Sequence, residues 1–202
     1  MGVAADVPVV LYHGAFTAHR GMEQLAAAAG ALADTGAHIA YLGYGQQRPA
    51  LDKLAAADAT GRTHVLDAVP PDELLSWIRT ADVDAIPLQH STLNHYFCTP
   101  NKLFESLAVG VPVVVSDFPE MRRIVMDDPD GPLGAVCDPH DPASIAAAVR
   151  AILVAPPAKR QTLRDRCLHA AHERWNWETE GSRLVALYAE LVRAVDGRPA
   201  AG

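Results

Sequence analysis

Val9-Val10-Leu11-Tyr12-His13-Gly14 opens the stretch that decides the fold, and His38-Ile39-Ala40-Tyr41-Leu42-Gly43-Tyr44-Gly45 closes it. Both begin as compact apolar runs and break at glycine, the pattern of a buried strand. Pro8 precedes the first run, where a strand's first residue can do without a ladder N–H. Between the runs Met22, Leu25, Ala26, Ala29, Leu32 and Ala33 recur at helical spacing, and Gly36 stops that helix. Strand, helix and strand in that order make a βαβ unit with parallel strands.

The unit repeats outward along the chain. Leu51 to Ala57 predicts a short helix and His64 to Leu66 a third strand. Pro70 and Pro71 open a helix through Leu74, Leu75 and Ile78, because proline suits a helix's first turn. Val83 to Leu88 is a fourth strand, followed by a polar loop from Gln89 to Thr99 and a helix over Asn101 to Ala108. Pro112 to Val115 and Leu133 to Val136 are further strands, with a helix from Pro119 to about Met126 between them. Helices over Ile145 to Leu153, Lys159 to His172 and Glu178 to Val195 follow, and only the Pro/Ala tail after Asp196 looks loose. The expectation is an α/β, doubly wound, parallel, Rossmann-like sheet in one domain over residues 1–202. Such a sheet binds ligands at the carboxyl ends of its strands, so the informative residues should follow strands directly.

Composition narrows the function. The chain has 202 residues, half of them hydrophobic and 20% charged, which excludes wholesale disorder. Its 17 basic against 24 acidic residues leave a net charge of −7, which argues against a nucleic-acid binder. No apolar run approaches the roughly 20 residues of a membrane-spanning helix, and Met1 to Val9 lacks the pattern of a signal peptide. Cys98, Cys137 and Cys167 are too widely spaced for a zinc site or disulfide framework. On these readings the expectation is a soluble, cytoplasmic protein.

The strongest local signal is Thr99-Pro100-Asn101-Lys102-Leu103-Phe104-Glu105. Thr99 is placed to cap a helix, leaving the first amides free as an anion site, and Lys102 adds charge there. Glu105 lies one turn deeper on nearly the same face, and its carboxylate suits a vicinal diol. Diphosphate at the helix tip and ribose at Glu105 is one reading; a capped helix with a solvated Lys/Glu pair is the other. His13-Gly14 after the first strand offers backbone amides to a phosphate, and Arg20 could clamp it with its fork. Gly43-Tyr44-Gly45 has Arg48 where a third glycine belongs, so it is not a dinucleotide fingerprint. Asp82-Val83-Asp84 imitates a paired-aspartate metal site but lies at the start of a strand, the wrong end, and reads as structural punctuation. His90, His95 and Cys98 are too irregularly spaced for zinc, and His90, His95 or Tyr96 facing a bound sugar is the better use of that loop.

These residues resemble the C-terminal, donor-binding domain of the group 1 (family 4) glycosyltransferases of the GT-B fold, over nearly the whole chain. Tyr12-His13-Gly14 with Arg20-Gly21 resembles that family's first loop, and Tyr41-Leu42-Gly43-Tyr44-Gly45 its Gly-x-Gly. Lys102-Leu103-Phe104-Glu105 through Gly110-Val111-Pro112-Val113-Val114 is the most specific match, and Trp175 to Tyr188 resembles the family's tail. The resemblance implies a retaining, metal-independent transfer of a sugar from a nucleotide diphosphate donor, UDP- or GDP-linked first, with no cofactor. It implies catalytic roles for Arg20, at the leaving diphosphate, and Glu105, on the ribose. The donor is expected at Gly14, Arg20, Val65, Leu66, Thr99, Asn101, Lys102, Leu103 and Glu105, with the backbone around Val65 and Leu66 against the base.

Two departures from the family stand out: Ala15 replaces its first-loop Arg, and Phe97 replaces a donor-sugar Glu. Members of the GT-B class also carry an acceptor domain ahead of this one. The chain is therefore expected to be a donor half that works with a separate or missing acceptor domain, docked along the helix at 175–195, or to self-associate. Peripheral membrane attachment fits the same expectation. The alternative is a non-catalytic nucleotide-sugar-binding or scaffolding partner of another transferase.

Overall fold

A computed structural model describes residues 2–4 and 6–196, with side chains to residue 194; the tail after Asp196 and the Val195 side chain lie outside the described residues. Six strands form one parallel sheet: β1 (Val9–Ala15), β2 (His38–Tyr44), β3 (Thr63–Asp67), β4 (Val83–Ile86), β5 (Val113–Ser116) and β6 (Gly134–Cys137). Their spatial order is β3-β2-β1-β4-β5-β6. The order reverses direction between β1 and β4, where Leu11 pairs with Asp84, and this is the switch point at which such sheets open a crevice.

Strand periodicity sorts the core onto two faces. Val10 and Tyr12 pack on one side with Leu25 of α1 (Met22–Ala28) and Ile145, Val149 and Ile152 of α7 (Pro142–Leu153). Val9 and Leu11 pack on the other with Ile78 of α3 (Pro71–Ile78). On the β5 side, Leu103 and Leu107 of α5 (Asn101–Ala108) meet Met121 and Ile124 of α6 (Pro119–Met126) and Cys167 and Ala170 of α8 (Pro157–Glu173). With both faces covered, the strands are mostly apolar, as a parallel sheet requires, and His13 of β1 and Asp84 of β4 are among the few buried polar exceptions.

Local chemistry explains where elements differ from expectation. The first helix tightens into a 3-10 segment over Ala29–Thr35 before Gly36 ends it in a left-handed conformation. The stretch expected as a polar loop holds a single turn, α4 (Leu93–Phe97), capped by Thr92, whose hydroxyl accepts from the His95 N–H at 3.2 Å. The remaining helices are α2 (Arg48–Ala57) and α9 (Trp177–Asp196). The apolar stripe of α9 stays uncovered, with Leu184, Leu187, Tyr188, Leu191 and Val192 all exposed. Among the described residues no helix is long and apolar enough to cross a membrane.

Candidate functional site

The ends of β1 and β2 are drawn together before they diverge. A side chain at Gly43 would put its Cβ 1.9 Å from the Gly14 carbonyl oxygen, so only glycine fits there. Phe16, fully buried, donates its N–H to Tyr44 O at 2.7 Å and accepts from Gln47 N at 3.0 Å, turning the chain out of β1. Gly14 itself sits at φ 109°, a conformation glycine adopts without steric cost, and the Lys102 ammonium lies directly beside it. His13, Gly14, Tyr44, Ala68, Val69, Leu74, Asn101, Lys102 and Glu105 together line a cavity of about 340 Å³ at the carboxyl ends of β1, β2 and β3.

Charge is concentrated beneath this cavity. Asp84, fully buried, accepts a hydrogen bond from the Ser106 hydroxyl at 2.8 Å. Its Oδ2 lies 3.3 Å from His13 Nδ1, and His13 Nε2 lies 3.0 Å from Glu105 Oε2. Lys102 reaches inward, its Nζ 3.9 Å over the ring of buried Tyr12. Burial pushes the His13 imidazole down, but the Asp84 charge and the contact with Glu105 overcome this and raise it to about 9. Burial lowers Lys102 to about 8, Asp84 opposing and Arg20 reinforcing the shift. Two cations near enough for one to depress the other mark a place suited to an anion.

These shifts predict how stability varies with pH. His13 titrates at about 9 in the folded protein against about 6.5 unfolded. From about pH 6.5 to 8 the folded state thus holds a proton that the unfolded chain lacks, and stability falls by at most about 1.4 kcal/mol per unit. Lys102, lowered to about 8, acts oppositely above that pH and levels the curve. The melting temperature should therefore drop between pH 6.5 and 8 in the wild type and hold steady in His13→Gln. A flat wild-type profile would refute a buried imidazolium.

The residues expected from the sequence divide into two groups. Gly14, Asn101, Lys102 and Glu105 share the cavity just described. Arg20 lines a separate cavity of about 240 Å³ with Thr17, Gln24, Gln47 and Gln89, its Nε donating to Thr17 Oγ1 at 3.2 Å. Thr99 does not cap α5: extended Pro100 takes the capping position, which leaves the Thr99 hydroxyl one residue too far back. Leu103 is a core residue whose N–H already donates to Pro100 O at 3.0 Å. Val65 and Leu66 are half-buried, paired with Tyr41 and Leu42 inside the sheet, and the cavity wall comes instead from Ala68 and Val69 just beyond them.

Asp82 is punctuation, as expected: it accepts from Val9 N at 2.9 Å and lies 3.5 Å from the Arg164 guanidinium. Asp84 is not. It and the His13 side chain are what sequence reasoning missed at the site, His13 entering that reading only for its backbone amide, although an aspartate between Val83 and Ala85 in a buried strand calls for a buried partner. His90 stacks on Tyr96 at 4.6 Å while His95 bonds Ser91 at 2.7 Å, so the loop's two imidazoles are engaged separately. Among the described residues no three His, Cys, Asp or Glu side chains gather as a metal site would need.

Comparisons with known proteins agree on one family. A family model described as glycosyl transferases group 1 matches residues 7–154. The D-inositol 3-phosphate glycosyltransferase of Xylanimonas cellulosilytica is 30% identical over 198 residues, 96% of this chain and 45% of that protein. A glycogen synthase of Mycobacterium tuberculosis is 27% identical over 91% of this chain and 43% of its own length. Among solved structures, sucrose-phosphate synthase from Thermosynechococcus elongatus superposes with a TM-score of 0.77 at 23% identity, over 95% of this chain and 47% of that one. Anabaena Alr3699/HepE in complex with UDP and glucose gives 0.69 at 14% identity, over 92% and 49%. The chain spans less than half the length of these relatives, and the structural likenesses establish the fold.

Proposed function

The chain belongs to the group 1 glycosyltransferases, and on that footing we propose that it is the donor-binding half of a retaining, metal-independent transferase using a nucleotide diphosphate sugar. The observation that carries this reading is the meeting of Gly14, Asn101, Lys102 and Glu105 in one cavity at the carboxyl ends of the strands. The Glu105 carboxylate is half-exposed at the cavity and suits the two hydroxyls of a ribose. The apolar wall of Ala68, Val69 and Leu74 suits a base. The amides of Asn101 and Lys102, the Lys102 ammonium and the Arg20 guanidinium offer positive charge to a diphosphate.

Breaking the sugar–phosphate bond leaves negative charge on the departing diphosphate, and fixed donors at that place lower the barrier. Retention of configuration rests on the family resemblance. UDP leads among donors because HepE, of similar fold, was solved with UDP and glucose. The acceptor is assigned to another half, for which the exposed face of α9 is the proposed docking surface. The non-catalytic alternative draws on Ala15 and on Phe97, a hydrocarbon ring 55% exposed where the resembling family uses a carboxylate.

Calorimetry with UDP, GDP, ADP and dTDP and their sugars, in the presence of EDTA, should find binding of one series undiminished. Affinity only with Mn²⁺ or Mg²⁺ would overturn the metal-independent reading. The chain alone should transfer no sugar to acceptors, and robust transfer by a pure monomer would overturn its role as a half. Transfer regained on adding an acceptor-domain polypeptide favours the enzyme over the scaffold.

A further inference from the structure

Asp84, His13 and Glu105 form a line of charged groups running from the sheet interior to the cavity, with side-chain exposures of 0%, 1% and 34%. Each comes from a different element: Asp84 from β4, His13 from β1, Glu105 from α5. Ser106 fixes Asp84 by donating to Oδ2 at 2.8 Å, the oxygen that also faces His13 Nδ1 at 3.3 Å. Neither His13 Nδ1 nor Asp84 Oδ1 makes a hydrogen bond of good geometry. Burying such groups costs more than packing a valine there, and Val83, Ala85 and Ile86 show that the strand otherwise does so. Stability is thus a poor account of the line, whose outer members, His13 and Glu105, line the cavity while Asp84 stays beneath it.

We propose that Asp84 and His13 are a buried positioning relay that aims the Glu105 carboxylate at the ribose hydroxyls, and that this relay sets a preference for ribonucleotides over 2′-deoxyribonucleotides. The proposal rests on reading Glu105 as the ribose ligand. A carboxylate that grips a diol must offer one oxygen to each hydroxyl. The His13 N–H meets Oε2 at 3.0 Å from below, which fixes the carboxylate plane and leaves Oε1 and a lone pair of Oε2 for the ligand. Without it, Glu105 is free to turn toward Lys102 one helical turn away.

The charges facing His13 are Asp84 from β4 and Glu105 and Lys102 from α5, with Arg20 acting on Lys102. Asp84 favours the imidazolium and Lys102 opposes it. At neutral pH the imidazolium, held up to about 9, carries a proton on both nitrogens, and the one on Nε2 is directed at Glu105.

The test compares UDP with dUDP, ADP with dADP and GDP with dGDP by calorimetry on the full chain, in wild type, His13→Gln, Asp84→Asn and Glu105→Gln. In the pair that binds, the wild type should favour the ribonucleotide about tenfold, the scale of one hydrogen bond to a charged group. His13→Gln should bring the ratio to within about twofold of unity while deoxynucleotide affinity changes little. Asp84→Asn, nearly isosteric and so the safer fold, should lower the ratio at pH 8 and regain part of it at pH 6, where the imidazole protonates again. Equal weakening of ribo- and deoxynucleotides in His13→Gln and Asp84→Asn would mean a merely structural role and overturn the relay. An unchanged ratio in both, with collapse in Glu105→Gln, would overturn it as well. An unchanged ratio in Glu105→Gln itself would remove the ribose reading, and the relay with it.

Discussion

Glu105→Ala should weaken binding of the nucleoside diphosphate by about 1–3 kcal/mol, the range for losing a pair of charge-assisted hydrogen bonds. Arg20→Ala should weaken the diphosphate too, yet leave the bare nucleoside nearly untouched, because its guanidinium lies in a different cavity from the Glu105 carboxylate. The contrast between the two variants carries more weight than either value. The nucleoside senses the diol and the apolar wall of Ala68, Val69 and Leu74, whereas only the diphosphate senses the cation. Titrating both ligands against both variants makes the comparison, with circular dichroism to confirm folding. Unchanged diphosphate affinity in both variants would remove the site assignment.

The largest effect on stability is expected from one methyl group. Gly43→Ala places a Cβ 1.9 Å from the Gly14 carbonyl oxygen and 3.1 Å from the ring of buried Phe16, so backbone has to move. Overpacking against backbone in a filled interior costs about 1–3 kcal/mol and occasionally more. The displaced group is the rim of the cavity proposed for the nucleotide, so binding should be lost along with stability. Gly61→Ala is the control: its φ is also positive, at 66°, but the new methyl meets open space, so only the local backbone penalty of about 1–2 kcal/mol applies. Urea unfolding of both variants, alongside nucleotide titration, separates crowding from backbone strain. Equal losses in the two, with binding intact in Gly43→Ala, would show that the approach of β1 to β2 does not shape the site.

The fold was legible because its signals are local. Compact apolar runs ending in glycine, with helical spacing between them, place all six strands within a few residues of their observed limits. Asn101, Lys102 and Glu105 were legible for the same reason, since they share one short helix. What escaped was set by tertiary contact. Thr99 looked like a cap, but Pro100 adopts the extended capping conformation instead. The position of Lys102 was legible, but not that its ammonium lies 3.9 Å over the Tyr12 ring. Asp84 looked like punctuation beside Asp82, and its true partners stand far away in sequence at His13 and Ser106. Spacing along the chain cannot report such a meeting.

Every residue lining the cavity proposed for the nucleotide lies between positions 13 and 105. During synthesis all of these groups are made before β5, β6 and α8. The helix that carries Lys102 and Glu105 is nevertheless backed by Met121 and Ile124 of α6 and by Cys167 and Ala170 of α8, through Leu103 and Leu107. A nascent chain therefore holds the chemistry of the site well before it holds the support that fixes it. On the proposed function, nucleotide capture becomes a late event of biosynthesis, even though its ligands are made early.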